Sequence, residues 1–174
     1  MSKNQDCLGL KNHCISEENV KQYVLERFYE IKEAKKIKNL VNFQAMNKYM
    51  IMVHDQEELK KLGNIVASYK KIPFVDILEY YEKHLIMSLE NQPTIKKHVN
   101  VILHIFGYFS KHFNQQEKES ILNLLEKYKE EKITLGKILS EINPIVFRFN
   151  NTYLAGQTYF LLYSNSTPCI FPDL

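Results

Sequence analysis

Apolar residues recur at three- and four-residue intervals along most of this chain, and sustained two-residue alternation occurs nowhere. The first such stripe, Val20, Tyr23, Val24, Phe28 and Ile31, follows Ser16, with Glu17 and Glu18 in the first turn. A side-chain oxygen at the cap and carboxylates beside the positive helix end mark Ser16 as a helix start. Lys35, Lys36 and Lys38 crowd the other end, where cations suit the negative pole. A second helix is predicted over Leu40 to Val53. Asp55 and Glu58 then form a D-x-x-E start before Leu59, Leu62, Ile65, Val66 and Tyr69.

Pro73 sits where a fourth helix places its first residue, and Phe74, Ile77, Leu78, Tyr81, Leu85 and Leu89 carry its stripe. Pro93 and Thr94 open a fifth helix that should run to about Phe113. Asn114 with Glu117 repeats the cap signal ahead of Ile121, Leu124, Leu125 and Tyr128. Thr134 starts a seventh helix, and Pro144 should bend or stop it. One short helix or turn is expected from Thr152 to Tyr159. The pattern predicts an all-α fold: a single compact domain of about seven or eight helices over residues 16–163, with irregular N- and C-terminal tails at 1–15 and 164–174.

Composition agrees. At 174 residues the chain is the size of one domain, and only 5 Gly and 5 Pro leave too few turns for an all-β fold. The 11 Tyr and 10 Phe supply large core pieces in the absence of Trp. A net charge of +3 is a mild basic excess that by itself decides nothing about partners. Cys7, Cys14 and Cys169 lack C-x-x-C spacing, so reduced thiols are expected and neither a metal nor a cofactor. The polar start MSKNQDCLGL has no export pattern, and no stretch is long and apolar enough to span a bilayer; a cytoplasmic location without membrane contact is expected.

The fifth helix, KKHVNVILHIFGYFSKHF, holds the most chemistry. At 100° per residue, Val99, Ile102, Ile105, Phe106, Phe109 and Phe113 share one arc, whereas Lys97, Asn100, His104, Gly107, Tyr108 and Lys111 share another. Cations, an imidazole, an amide and a phenol around a glycine suit phosphate contact and stacking on a base. The plainer alternative is a solvated face crossed by a neighbouring helix at Gly107. In a helix interior that glycine costs about 1 kcal/mol relative to Ala, so a close approach of some kind is expected there. His98 falls on the apolar side and reads as a core histidine bonded to backbone.

No P-loop, G-x-G-x-x-G, H-E-x-x-H or G-x-S-x-G is present, so the chain reads as a binding module before an enzyme. Two alternatives stand beside that reading. One is a small enzyme or ligand-binding protein whose pocket gathers His54, Asn100, His104, Tyr108 and Gln157. The other is a protein-interaction domain docking through the uncharged segment after Phe149.

The landmarks NKYMIMVHDQ, KKLGNIVA, KHVNVILHIFGYFSKHF, EKYKEEK and YLAGQTYF occur in that order from near Leu40 to about Tyr163. In these the chain resembles the YbgA family, domain of unknown function 1722, a bacterial domain found alone or fused to a thiouracil-desulfidase-like domain. Family patterns F-H-x-R-[HY]-K, H-x-N-V-L-x-H-x-x-G-Y-F and Y-L-x-G-Q-x-Y map onto Lys48, His54, His98, Asn100, His104, Tyr108, Lys111, Tyr128 and Gln157. Gln44, Met46 and Asn47 depart from the first pattern, so chemistry relying on its histidine would be absent here.

The fusion implies transfer RNA carrying 4-thiouridine as the ligand and a desulfidase as partner. On that reading Lys48, Lys97, Asn100, His104, Tyr108 and Lys111, with Lys60 and Lys61, contact RNA. His54, His98, Tyr128 and Gln157 form a pocket. The scattered cysteines match no cluster-binding set, so the chain should not desulfurise anything alone.

Overall fold

The computed structural model describes residues 16–148 and 152–164. Among them the secondary structure is entirely helical, in ten segments of which eight have seven or more residues. These are α1 (Glu17–Ala34), α2 (Ile37–Met46), α3 (Lys48–His54), α4 (Gln56–Ala67), α5 (Phe74–Glu90), α6 (Ile95–Phe109), α7 (Gln115–Lys129), α8 (Leu135–Arg148), α9 (Thr152–Ala155) and α10 (Thr158–Tyr163). The expected tails at 1–15 and 164–174, apart from Ser164, lie outside the described residues, as do all three cysteines.

Start signals in the sequence become hydrogen bonds. Ser16 Oγ accepts from Asn19 N at 3.2 Å, and Asp55 Oδ1 accepts from Glu57 N and Glu58 N at 2.8 and 2.9 Å. Asn114 and Glu117 form a reciprocal capping box, and Thr134 Oγ1 accepts from Lys137 N at 3.2 Å. The terminal N–H groups of these helices, which lack intrahelical partners, are satisfied locally.

Several boundaries differ from expectation. The stretch read as one helix over Leu40–Val53 is two, broken at Asn47 (φ −99°, ψ 8°). The fifth predicted helix, α6, ends at Phe109 instead of Phe113, because the chain turns through Ser110–His112 and sends Phe113 back onto Phe106 with ring centroids 5.5 Å apart. Pro144 does not stop α8, which continues to Arg148. The short C-terminal element is likewise two helices, α9 and α10.

Short α3 is the centre of the molecule. Every residue from Tyr49 to His54 is buried, and α4, α5, α6 and α10 all pack against it. A seven-residue helix cannot hold itself in water. Its stability comes from that enclosure: Met50, Ile51 and Val53 are fully inaccessible, as are Leu62, Ile77, Leu85 and Ile102 around them. A second aromatic nucleus joins Phe28 of α1, Phe43 of α2 and Tyr81 of α5, with Phe28 and Tyr81 stacked at 5.4 Å.

Candidate functional site

The run between Glu33 and Asp55, which forms α2 and α3, contains no carboxylate, and neither does the run between Glu90 and Glu117, which forms α6. The fold lays α3 and α6 against one another. Their antiparallel order follows from contacts at both ends. Lys97, near the start of α6, reaches the last residue of α3, and Tyr108, near the end of α6, stands within electrostatic reach of Tyr49 at the start of α3. Lys48, Tyr108 and Lys111 are thereby gathered at one end of the pair.

The exposed arc of α6 divides in two. In its C-terminal half His104, Gly107 and Tyr108 are open, with Tyr108 58% accessible, and so is Lys111, which lies beyond the helix in the turn that follows it and not on its arc as expected. A Cβ placed on Gly107 would meet no atom within 4 Å, so the helix crossing expected there does not occur. Lys48 and Lys111 have no carboxylate partner among the described residues, in contrast to Lys60, Lys61, Lys129, Lys132 and Lys137, each bound to a glutamate. Lys48 Nζ lies 5.6 Å from the centroid of the Tyr49 ring. Burial and the neighbouring phenols Tyr153 and Tyr108 push the Tyr49 hydroxyl up to about 12, so Tyr49 stays neutral at physiological pH.

The N-terminal half is closed. Lys97 Nζ donates to the main-chain carbonyls of His54 (2.6 Å) and Gln92 (3.0 Å), and Asn100 Nδ2 donates to Gln56 Oε1 (3.2 Å). These two residues, read from sequence as RNA contacts, knit α6 to the α3–α4 junction. Lys60 and Lys61, from the same reading, are tied to Glu57 and Glu58.

Of the residues read as a pocket, three meet inside the protein. His54 is fully buried; its Nδ1–H donates to Asn91 O at 2.7 Å, which leaves Nε2 as an unpartnered acceptor 3.7 Å from Glu17 Oε2. Tyr163 bonds both oxygens of that carboxylate at 2.9 Å. His98 Nδ1 pairs with Tyr159 Oη at 2.9 Å, so its partner is a side chain and not the backbone expected. Tyr128 is also buried and within electrostatic reach of Tyr159 and Tyr163.

Burial drives both imidazoles down to about 4, so both are neutral at physiological pH, and it also raises the Glu17 carboxyl above the usual carboxylate range. Glu17 was legible only as a first-turn acid. Its place in this network depends on α10 returning beside the start of α1.

Gln157 lies apart from the histidines and mends the α2/α3 break. Its Nε2 donates to Ala45 O (2.8 Å) and Tyr153 O (3.2 Å), while Oε1 accepts from Tyr49 N at 3.4 Å. Asn47 Nδ2 supplies a further bond to Phe43 O at 3.0 Å. A helix break orphans backbone groups on both sides, and a buried amide with two donors and an acceptor suits them.

Two surface grooves flank these elements. One, of about 450 Å³ between α1 and α5, is lined by Lys21, Leu25, Tyr29, Ile86 and Leu89 with Glu18, Glu26 and Glu90. The other, of about 330 Å³ between α2 and α4, is lined by Val41, Gln44, Ala45, Lys48, Leu59, Gly63 and Val66. Neither contains His54 or His98.

Fold and surface together define an all-α protein with a buried histidine–tyrosine cluster and an open cationic–aromatic face. The chain belongs to the family DUF1722, described as a protein of unknown function, whose model matches residues 48–164. It is 25% identical over 146 residues to the uncharacterized protein YbgA of Escherichia coli (strain K12), an alignment covering 83% of this chain and 86% of that protein. No solved structure matches it significantly. Among the described residues no helix is long and apolar enough to cross a membrane.

Proposed function

We propose that the chain is an RNA-binding module, not catalytic alone, and that RNA lies across the Lys48–His104–Tyr108–Lys111 face. The observation that carries this reading is the juxtaposition of two carboxylate-free segments, which leaves Lys48 and Lys111 without carboxylate partners beside an exposed tyrosine. Unneutralised lysines attract phosphate, and an exposed phenol offers a face to an unstacked base. Gly107 adds support: among the described residues nothing lies within 4 Å of a Cβ built there, so a ligand backbone has room to approach the helix.

The desulfidase fusion implied by the family resemblance makes transfer RNA carrying 4-thiouridine the RNA of choice and a desulfidase the partner. The pocket-enzyme alternative is less favoured, since the two histidines of lowered pKa are sealed in the core and line neither groove. The experiment is a fluorescence-anisotropy titration of labelled bulk transfer RNA with the intact protein. Binding should weaken at least tenfold when Lys48, Tyr108 and Lys111 are changed together to Ala. Unaltered affinity in a folded triple variant sinks the proposal.

A further inference from the structure

The α2–α4 groove has features that apolar packing does not need. Its walls, Val41, Ala45, Leu59 and Val66, are apolar; its floor is Gly63, inside α4; Gln44 and Lys48 supply the polar groups. Gly63 costs helix stability relative to Ala. Yet the nearest atom to a Cβ built there is Gln44 Nε2 at 4.0 Å, so no neighbouring part of the protein demands a glycine. That missing methyl keeps open the space beside the amide.

The amide itself is fixed in one sense. The Tyr81 hydroxyl is buried and held protonated, and it donates to Gln44 Oε1. Gln44 therefore turns its acceptor inward, and its Nε2 hydrogens, without a partner among the described residues, toward Gly63 and the groove. A ligand meets two donors and no acceptor. Lys48, at the same groove, adds a cation.

We infer that this groove holds one unpaired nucleotide whose base offers a carbonyl oxygen to Gln44 and whose phosphate rests on Lys48. The volume, about 330 Å³, is at the small end of ligand clefts, on the scale of a single nucleotide and not a duplex. Apolar lining suits a base, and a donor-only amide donates to the O4 keto oxygen of uracil or the O6 of guanine, at the edge where cytosine and adenine present an amino group instead. Lys48 also borders Tyr49 and, through it, the Tyr108 face, so one strand can engage groove and face together. The inference rests on the RNA reading above and adds base selectivity to it.

The test compares labelled U6 and C6, equal in length and charge, by anisotropy against the intact protein. U6 should bind about fivefold or more tightly, as expected when one base-edge contact is satisfied in one ligand and frustrated in the other. Gly63→Ala should raise the melting temperature, because Ala is the better helix former, yet abolish the preference for U6. Gln44→Glu keeps an acceptor for Tyr81 but removes the donors, and should erase or invert the preference.

Equal binding of U6 and C6, or a preference untouched by both variants, overturns the inference and leaves the groove to some other occupant. If that equal binding is still lost in Lys111→Ala, the RNA reading survives without the groove. If neither oligomer binds, both fall.

Discussion

The ammonium of Lys97 donates to the carbonyl of His54, 2.6 Å away, and thereby fixes the start of α6 to the end of α3. A cation on the last carbonyl of a helix complements its negative pole. Lys97→Met should therefore lower stability by about 1.5–3 kcal/mol, the usual cost of losing a charged hydrogen bond. Urea unfolding measures that cost. RNA affinity should change far less in this variant than in Lys111→Ala, and the reverse order would mean that Lys97 leaves its carbonyls to meet the ligand.

Lys48 and Lys111 have the opposite profile, exposed and without carboxylate partners among the described residues. Each single Ala variant should leave the unfolding free energy within about 0.5 kcal/mol of the parent. The slope of log affinity against log salt should become shallower by about 0.7 per lost phosphate contact, as for single-stranded nucleic acid. Binding measured across a salt series checks this, and an unchanged slope in both variants would show that neither lysine touches phosphate.

Gln157→Ala strips three hydrogen bonds from the α2/α3 break at once. A loss of about 2–3 kcal/mol is expected, because the buried Tyr49 N–H and the half-buried Ala45 carbonyl lose this partner. Gln157→Glu should be nearly as damaging, since it keeps the acceptor but loses both donors. Chemical denaturation of the two variants decides the matter.

His54 and His98 make stability depend on pH with a definite sign. Each titrates near 6.5 when exposed and near 4 in the folded protein, so the unfolded chain takes up protons first as pH falls. Stability is full above about 6.5 and drains between there and about 4, by up to about 3 kcal/mol per histidine. Glu17, whose carboxyl is raised, acts in the opposite direction: the folded state favours its protonated form, which offsets part of the loss at low pH. His98→Gln keeps a partner for Tyr159 without titrating and should flatten the profile, which urea titrations at pH 7, 5.5 and 4.5 would reveal.

Gly107→Ala separates the two roles a helical glycine can have. With no neighbour within 4 Å, Ala should stabilise α6 by up to about 1 kcal/mol. If RNA approaches the helix there, affinity should fall while the melting temperature rises. Affinity that stays constant would place the ligand elsewhere on the face.

The sequence by itself determined the helical class and most helix starts, because caps and 3.6-residue stripes are local properties: Ser16, Asp55, Thr94, Asn114 and Thr134 all cap where their side chains predict. It also marked Gly107 and Tyr108 as one arc of α6, but placed Lys111 on the same arc, whereas the helix ends at Phe109 and Lys111 lies in the turn after it. Only the tertiary structure decided which half of that arc is open, since Lys97 and Asn100 find partners more than 40 positions away in the chain.

The break at Asn47 was hidden for the same reason: its orphaned groups are met by Gln157, more than 100 residues further on. Helical period records which face is apolar. What covers a polar face, and which carboxylate-free segments become neighbours, depends on how the helices are stacked.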